Sequence, residues 1–170
     1  VSEAIDLINP VNLATDRPQV WADLGCGSGI FSRALASLLT DQSTVVCCDK
    51  EPQMFSWDTT KHVTLQFKQL DFEQAVLDIS LDGILMANAL HYVEDQKKFL
   101  LKWRQILNPA GAFIIVEYDT EVSNPWVPFP ISFSKLKALF SDIGMKSVRM
   151  LGDRKSVFRN SRMYACQINL

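Results

Sequence analysis

The stretch DLGCGSG, residues 23–29, joins an acidic side chain to three alternating glycines, directly after the apolar residues 20–22. Glycine adopts backbone conformations that other residues avoid, so a ligand can approach the main chain closely. Where such a loop leads into a helix, the N–H groups of the first helical turn also point towards the ligand. The stretch therefore predicts a loop between a strand and a helix that binds a small polar molecule.

The spacing of these glycines differs from both common phosphate-binding motifs. The dinucleotide motif G-x-G-x-x-G requires a glycine three residues after Gly27, where this chain has Ile30. The P-loop motif requires Lys and then Ser or Thr after its last glycine, and Ile30 and Phe31 follow Gly29 instead. The carboxylate of Asp23 would also repel a pyrophosphate and attract a cation. These residues favour a ligand that presents a cationic group to the loop.

Polar residues also lie at the ends of the later predicted strands. Asp49 ends the second strand, Asp71 directly follows the third, and Asn88 ends the fourth. In an open α/β sheet, ligands bind at the carboxyl ends of the strands, at the switch point beside the first one. We therefore expect these three residues to lie near the glycine loop.

Together these motifs resemble those of the class I S-adenosylmethionine-dependent methyltransferases, in particular the members that act on small molecules. The acidic residue and the three glycines of residues 23–29 match the first motif of that family. DKEPQM, residues 49–54, is similar to the family's D-x-S-P-x-M, with Glu51 in place of the usual serine. The resemblance covers roughly residues 18–170 and implies a methyltransferase that uses S-adenosyl-L-methionine.

The resemblance implies a cofactor-binding role for residues at several strand ends. Asp23 would attract the cationic methionyl end, Asp49 would accept both ribose hydroxyls, and Asp71 would accept from the adenine amino group. The backbone of Phe72 would face the edge of the adenine ring, and Asn88 would lie near the methionyl amine. The complete implied set is Asp23, Gly25, Cys26, Gly27, Gly29, Asp49, Lys50, Met54, Asp71, Phe72 and Asn88.

Several of these residues also have purely structural interpretations. Asp71 could cap a helix, Asp49 could be a turn residue at a strand end, and Met54 could pack in the core. Cys26 is expected to be a small residue that fits between glycines, not a nucleophile. Lys50 stands where the family usually has an apolar residue, so adenine would pack on its aliphatic stem.

Direct displacement of a methyl group from a sulfonium mainly requires that the protein align the nucleophile and exclude water. It requires no metal, and no metal site is predicted. A base is needed only where the acceptor must lose a proton. His91, just past the fourth strand, is the candidate catalytic residue, with a role in shaping the pocket as the alternative. His62 is expected at the surface.

His91 and three aromatic residues are the candidates for acceptor binding. Tyr92 follows His91 directly, whereas Trp126 and Phe129 belong to the proline-rich stretch 120–130. This stretch follows the fifth strand, where the architecture places a loop that faces the acceptor. The alternative for the two loop aromatics is simple anchoring of the loop.

The sequence favours a small-molecule acceptor. Asn-Ala-Leu at 88–90 replaces the N-P-P-Y type of signature, which argues against methylation of DNA amino groups and of glutamine. An RNA or protein acceptor, or a cofactor-binding domain without catalysis, remain alternatives. The cations Arg154, Lys155, Arg159 and Arg162 form either a solvated turn or an anion-binding patch.

Apolar runs that alternate with helical periodicity predict an α/β fold. We expect a doubly wound, three-layer sandwich in one Rossmann-like domain, residues 1–170, with a seven-stranded, mostly parallel sheet and an antiparallel last strand. The later elements are predicted as helices at 51–58, 94–108 and 132–144 and strands at 112–119, 145–151 and 161–170.

Composition excludes several classes of protein. The net charge of −2 indicates neither a nucleic-acid nor an anionic-membrane partner, and no apolar run approaches 18 residues. The first residues lack the features of a secretory signal. The four cysteines have no C-x-x-C spacing, so a reducing, cytoplasmic compartment is expected. The oligomeric state is left open.

Overall fold

Helices cover both faces of one seven-stranded sheet in the computed structural model, which describes all residues except 10, 12, 14–15, 55–61, 146 and 156–161. The strands are β1 (Val20–Leu24), β2 (Thr44–Asp49), β3 (Thr64–Gln69), β4 (Leu81–Ala87), β5 (Leu107–Tyr118), β6 (Ser147–Lys155) and β7 (Arg162–Asn169). The helices are α1 (Ser2–Ile8), α2 (Ile30–Leu38), α3 (Gln96–Arg104) and α4 (Phe133–Asp142), with a 3₁₀ turn at Leu90–Tyr92.

The strand order is β3-β2-β1-β4-β5-β7-β6. The first five strands along the chain pair in parallel, whereas β7 runs antiparallel to both β5 and β6. The predicted fold class is therefore confirmed. Because the chain leaves β1 towards β2 and later returns to β4 on the other side, the switch point lies between the carboxyl ends of β1 and β4.

Two hydrophobic layers hold the helices against the sheet. Trp103, Phe113 and Phe140 are fully buried on the face that α3 and α4 cover, and Trp21 is buried on the opposite face, under α1 and α2. Large buried side chains of this kind each contribute about 1.5–3 kcal/mol by leaving water. The layers fix the strand ends and thereby the loops that follow them.

Several element boundaries differ from the sequence-based predictions. α3 begins at Gln96, because Asp95 caps it by accepting the backbone N–H of Lys98 at 3.0 Å, and it ends at Arg104. The chain then pairs with β4 from Leu107 onwards, so β5 starts five residues before the predicted position 112. The prediction missed this pairing because residues 107–111 carry the proline and glycine that usually end an element.

The terminal regions differ as well. α1 was not predicted from the sequence, and it packs against α2 and β6. β6 extends through residues 152–155, which were predicted as a polar connection, because they continue the antiparallel ladder as far as Lys155 opposite Arg162. Residues 51–54 of the predicted short helix are not helical, and the rest of that segment lies outside the described residues. Within the described part of the chain, no helix combines the length and hydropathy needed to cross a membrane.

Candidate active site

The glycine loop of residues 25–29 lies between β1 and α2 and has a backbone that only glycine adopts easily. Gly25, Gly27 and Gly29 have φ values of 77°, 49° and 72°. A Cβ at Gly25 would lie 2.7 Å from the Cβ of Ala89, so the loop presses directly against the chain that leaves β4. Gly29 is itself the N-cap of α2, so the preceding Ser28, a residue type that often caps helices, does not cap this one.

Asp49 holds the centre of this loop. Its Oδ2 accepts the backbone N–H of Gly27 at 2.9 Å, and its Oδ1 accepts the backbone N–H of Glu51 at 3.0 Å. No heavy atom within 4 Å faces the position that a Cβ at Gly27 would take, among the residues that the structure describes. The carboxylate therefore organises the loop, and the loop leaves room for a ligand beside Gly27.

Asp23 is a buried carboxyl group at the carboxyl end of β1. It is only 1% exposed, and its Oδ2 accepts the hydroxyl of Ser32 at 2.5 Å. Its Oδ1 has no hydrogen-bond partner among the described residues. Burial raises the pKa of Asp23 to about 7, against the opposing hydrogen bond from Ser32, and the nearby charge of Asp49 adds to the rise. A cation or hydrogen-bond donor beside Oδ1 would stabilise the ionised form.

Asn88 supplies a second unsatisfied oxygen, at the end of β4. Its φ of 54° is unusual for a residue other than glycine, and its backbone N–H donates to the carbonyl of Val116 at 2.8 Å. Within the described parts of the chain, the buried amide Oδ1 of Asn88 finds no partner. Buried polar atoms are normally paired, so two such oxygens at the ends of adjacent strands indicate a ligand that donates hydrogen bonds.

Asp71 and Phe72 follow β3, and the ring of Phe72 lies near the glycine loop. Asp71 is exposed, and its Oδ1 accepts the backbone N–H of Glu73 at 3.0 Å, so its side chain does cap the turn that follows β3. The ring of Phe72 lies 3.5 Å from the position of a Cβ at Gly25, and its carbonyl accepts the indole N–H of Trp103 at 3.1 Å. The ring of Phe72 therefore lies close to the glycine loop at Gly25.

The remaining predicted cofactor residues differ in exposure. Lys50 is exposed and Met54 is 98% exposed, so the alternative that Met54 packs in the core is wrong. Cys26 is buried, and a hydrogen bond with Cys47 together with burial raises the pKa of its thiol far above the usual range. A thiol that keeps its proton is a poor nucleophile, which agrees with the small-residue interpretation.

His91 is 2% exposed and lies in the 3₁₀ turn that follows β4. Its Nδ1 lies 2.6 Å from Oε2 of Glu117, and its backbone N–H donates to Oε1 of the same carboxylate at 3.1 Å. Glu117 lies in β5, is 1% exposed, and was missed in the sequence analysis. The available indication was an acidic residue in an otherwise apolar strand segment, FIIVEY.

Two of the three predicted acceptor-binding aromatics, Tyr92 and Phe129, contact His91 or its turn. Tyr92 is about half exposed, and its ring centroid lies 4.4 Å from that of His91. The backbone N–H of Phe129 donates to the carbonyl of His91 at 2.9 Å, which ties the loop to the turn. Trp126 is 69% exposed, and its backbone N–H donates to Oδ1 of Asn124 within a small turn.

Other polar residues singled out in the sequence lie elsewhere. His62 is exposed and precedes β3, at the edge of the sheet opposite to the strand ends of the site. Arg154 pairs with Glu3 at 2.7 Å, and Arg162 forms an ion pair with Asp153. These two cations are therefore already paired, whereas Arg159 lies outside the described residues. No cluster of three or more metal-ligating side chains occurs among the described residues.

Several solved structures have the same fold and are distant in sequence. They include a 1,6-didemethyltoxoflavin-N1-methyltransferase of Burkholderia thailandensis, with 17% identity and a TM-score of 0.67, covering 90% of this chain and 71% of that one. A putative methyltransferase of Bacillus halodurans has 12% identity and a TM-score of 0.70, covering 99% of both chains. An arsenic(III) S-adenosylmethionine methyltransferase of Chlamydomonas reinhardtii has 15% identity and a TM-score of 0.65, covering 95% of this chain and 66% of that one.

These likenesses establish the fold. The chain spans about two thirds of the length of the arsenic enzyme and half that of a carbon methyltransferase of similar fold. None of the curated protein sequences matches the chain significantly. A family model described as "Methyltransferase domain" matches residues 22–115, which is more than half of the chain and includes the glycine loop, Asp49, Asn88 and His91. The chain therefore belongs to the methyltransferase-domain family, of the class I S-adenosylmethionine-dependent type.

Proposed function

We propose that this chain is an S-adenosylmethionine-dependent methyltransferase that transfers a methyl group by direct displacement to a small molecule. One observation carries the proposal: two buried oxygens without a hydrogen-bond partner among the described residues, on Asp23 and Asn88, lie at the ends of the adjacent strands β1 and β4, and the glycine loop that follows β1 leaves room for a ligand. The methionyl end of S-adenosylmethionine is cationic and donates hydrogen bonds, so it fits this pair of acceptors.

The remaining predicted contacts are compatible with that ligand. Asp49 uses one lone pair on each oxygen to hold the loop, and each oxygen keeps a second lone pair that ribose hydroxyls can reach. Asp71 and Lys50 are both exposed, so their side chains are accessible to an adenine ring. The cofactor supplies an activated methyl group on a sulfonium; the chain binds it, orients the acceptor and excludes water.

The acceptor is proposed to be a small molecule for three reasons. The structural relatives named above include enzymes described as acting on arsenic(III) and on didemethyltoxoflavin. The side chains exposed beside the His91 turn include the aromatic Tyr92 and Phe129, which suit a small, partly apolar acceptor better than a phosphate backbone. The pairing of Arg154 and Arg162 further weakens the anion-patch alternative.

We also propose that the protein works in a reducing, cytoplasmic compartment. All four cysteines, Cys26, Cys47, Cys48 and Cys166, are buried as free thiols. Burial raises the pKa of Cys48 and of Cys166 to about 12 in each case, which keeps both thiols protonated and unreactive.

Transfer of a radiolabelled methyl group from S-adenosylmethionine tests the acceptor class. The purified chain is incubated with three fractions of a cell extract: compounds below about 1 kDa, RNA, and proteins. Label is expected in the small-molecule fraction alone. Label in RNA or protein would contradict the small-molecule acceptor, and no label in any fraction would favour a cofactor-binding domain without catalysis.

A further inference from the structure

Glu117 makes an unusual set of contacts for a residue in a central strand. It lies in β5 between apolar neighbours, is 1% exposed, and directs both of its carboxylate oxygens at His91. Oε1 accepts the backbone N–H of His91 at 3.1 Å, and Oε2 lies 2.6 Å from the ring atom Nδ1. A buried carboxylate is costly to desolvate, so its presence calls for a role that a neutral side chain would not fill.

Fixing the turn does not by itself need a carboxylate. A glutamine amide oxygen would accept the backbone N–H of His91 equally well. The hydroxyl of Tyr164, which lies opposite Glu117 on β7, donates to the carbonyl of Ile131 at 3.0 Å rather than to the carboxylate. Burial, and then the charge of Glu117, raise the pKa of Tyr164 far above its ordinary value, so its hydroxyl keeps its proton. The contact that distinguishes Glu117 from a glutamine is therefore the one to Nδ1.

The contact to Nδ1 determines which ring nitrogen carries the proton. An ionised carboxylate can only accept, so it pairs with a protonated Nδ1. In the neutral imidazole the other nitrogen, Nε2, is then the acceptor. A glutamine at 117 could instead donate its amide N–H to Nδ1, which would place the ring proton on Nε2.

The backbone around His91 is held where such a base is useful. Ala89, two residues earlier, faces Gly25 of the glycine loop, and Asn88 is the residue before that. The side chain of Gln96 donates to the carbonyls of Leu90, at 3.3 Å, and of Phe129, at 2.9 Å. The turn is thus fixed between the glycine loop and the 120–130 loop.

We propose that Glu117 is a positioning residue that holds His91 in the tautomer with the proton on Nδ1, so that Nε2 takes the proton of a hydroxyl acceptor. This inference rests on the proposed methyltransferase function and narrows its acceptor to a hydroxyl compound. The acceptor O–H bond breaks and its proton passes to Nε2, giving an imidazolium that Glu117 stabilises. The acceptor oxygen uses a lone pair to bond to the methyl carbon, and the electron pair of the methyl–sulfur bond stays on sulfur. The products are the methyl ether and S-adenosylhomocysteine, and the proton later leaves His91 for solvent.

The tautomer can be measured without any acceptor. The chain has only two histidines, so ¹⁵N-labelled wild type and the exposed-site variant His62→Gln together assign both rings in a long-range ¹H–¹⁵N spectrum. At alkaline pH, where free imidazoles are neutral, His91 is expected to carry its proton on Nδ1. In Glu117→Gln the proton is expected on Nε2. A wild-type proton on Nε2, or an unchanged tautomer in Glu117→Gln, would overturn the proposal.

Activity provides the second arm, with phenol, catechol and benzyl alcohol as hydroxyl probes and aniline as an amine probe. Glu117→Gln is expected to slow hydroxyl methylation by roughly 10²-fold or more, Glu117→Asp to recover part of the rate, and His62→Gln to leave it unchanged. If no hydroxyl probe is methylated, whether or not aniline is, the hydroxyl acceptor would be ruled out. If Glu117→Gln does not fold, the wild-type tautomer and Glu117→Asp still decide the case.

Calorimetric titration with S-adenosylhomocysteine separates this inference from the proposed function. Glu117→Gln is expected to bind it within about twofold of wild type, because both carboxylate oxygens of Glu117 are directed at His91 and not at the glycine loop. Absence of binding by the wild type would contradict the proposed function itself, whereas the tautomer result would stand independently.

Discussion

Two residues of the glycine loop, Gly25 and Gly27, should differ in their effects on folding and on ligand binding. Gly25 and Gly27 both have positive φ, but a Cβ at Gly25 would clash with Ala89, whereas one at Gly27 would meet no atom within 4 Å among the described residues. The backbone conformation should cost about 1–2 kcal/mol in either alanine variant. The clash should add a further ~1–3 kcal/mol for Gly25→Ala alone.

Urea denaturation and calorimetry with S-adenosylhomocysteine test this pair. Gly25→Ala should show the larger loss in free energy of unfolding. Gly27→Ala should remain folded but lose more than about tenfold in affinity, about 1.4 kcal/mol, because its methyl group points into the proposed ligand space. Equal losses of stability, or wild-type affinity in Gly27→Ala, would show that the loop does not face the ligand in this way.

Asp23 gives a prediction about pH. Its pKa in the folded protein is about 7, against an ordinary value of 3.8, chiefly because it is buried. The folded state therefore keeps a proton that the unfolded state releases between these two values. The contribution of Asp23 to the free energy of unfolding is greatest below the lower value, falls as pH rises through the window, and is constant above about pH 7. At about 1.4 kcal/mol per pKa unit, the total is on the order of 4 kcal/mol.

The variant Asp23→Asn isolates this effect, because it cannot ionise. Unfolding free energies of both proteins are measured by urea denaturation at several pH values from about 4 to about 8. The free energy of unfolding of the wild type, minus that of Asp23→Asn, should decrease steadily as pH rises to about 7. Parallel curves would mean that Asp23 titrates at its ordinary value and is not the buried carboxyl described above.

At the scale of single residues, the sequence identified what local patterns can show. Asp23 and Asp49 lie at the carboxyl ends of β1 and β2, and the glycine triplet follows β1, so their convergence follows from the rule for parallel sheets. Glu117 could not be found in this way, because its partner His91 lies 26 residues earlier and the two meet only through the pairing of β4 with β5. Oδ1 of Asp23 and Oδ1 of Asn88, which lack a hydrogen-bond partner among the described residues, likewise depend on tertiary packing, which a local sequence pattern does not show.

At the scale of elements, the sequence predicted which segments form helices and strands better than where they begin. The helical periodicity of apolar residues predicted α2, α3 and α4. The early start of β5 and the extension of β6 depend on ladders with β4 and β7, which override the local preference of Pro109 and Gly152. α1 has only seven residues, which is too short for a helical pattern to be recognised in the sequence. It is stabilised by contacts with α2 and β6, which are distant in the sequence.

The loop at 120–130 gives a prediction at the same scale. Trp126 is 69% exposed, so Trp126→Ala should change the free energy of unfolding by no more than about 0.5 kcal/mol. If Trp126 binds the acceptor, the variant should keep its affinity for S-adenosylhomocysteine and raise KM for the acceptor roughly three- to tenfold. Met150→Ala, at an exposed position on the far edge of the sheet, is the matched control. An unchanged KM would assign Trp126 to anchoring of its loop.

At the scale of the whole molecule, alternation of strands and helices was enough to predict a doubly wound sheet with an antiparallel addition. The order of the strands places the ends of β1 and β4 side by side. Asp23 and Asn88 are located at these two strand ends. The acceptor was not predictable at this scale, because the fold accommodates many acceptors and the loops that select them share no common pattern.

The most direct test of the account is a calorimetric titration of the purified chain with S-adenosylmethionine, S-adenosylhomocysteine and NAD in parallel. The proposed function predicts binding of both adenosyl compounds and no binding of NAD, because Ile30 breaks the dinucleotide motif and the buried Asp23 disfavours a pyrophosphate. Tight binding of NAD without a signal from S-adenosylmethionine would contradict it.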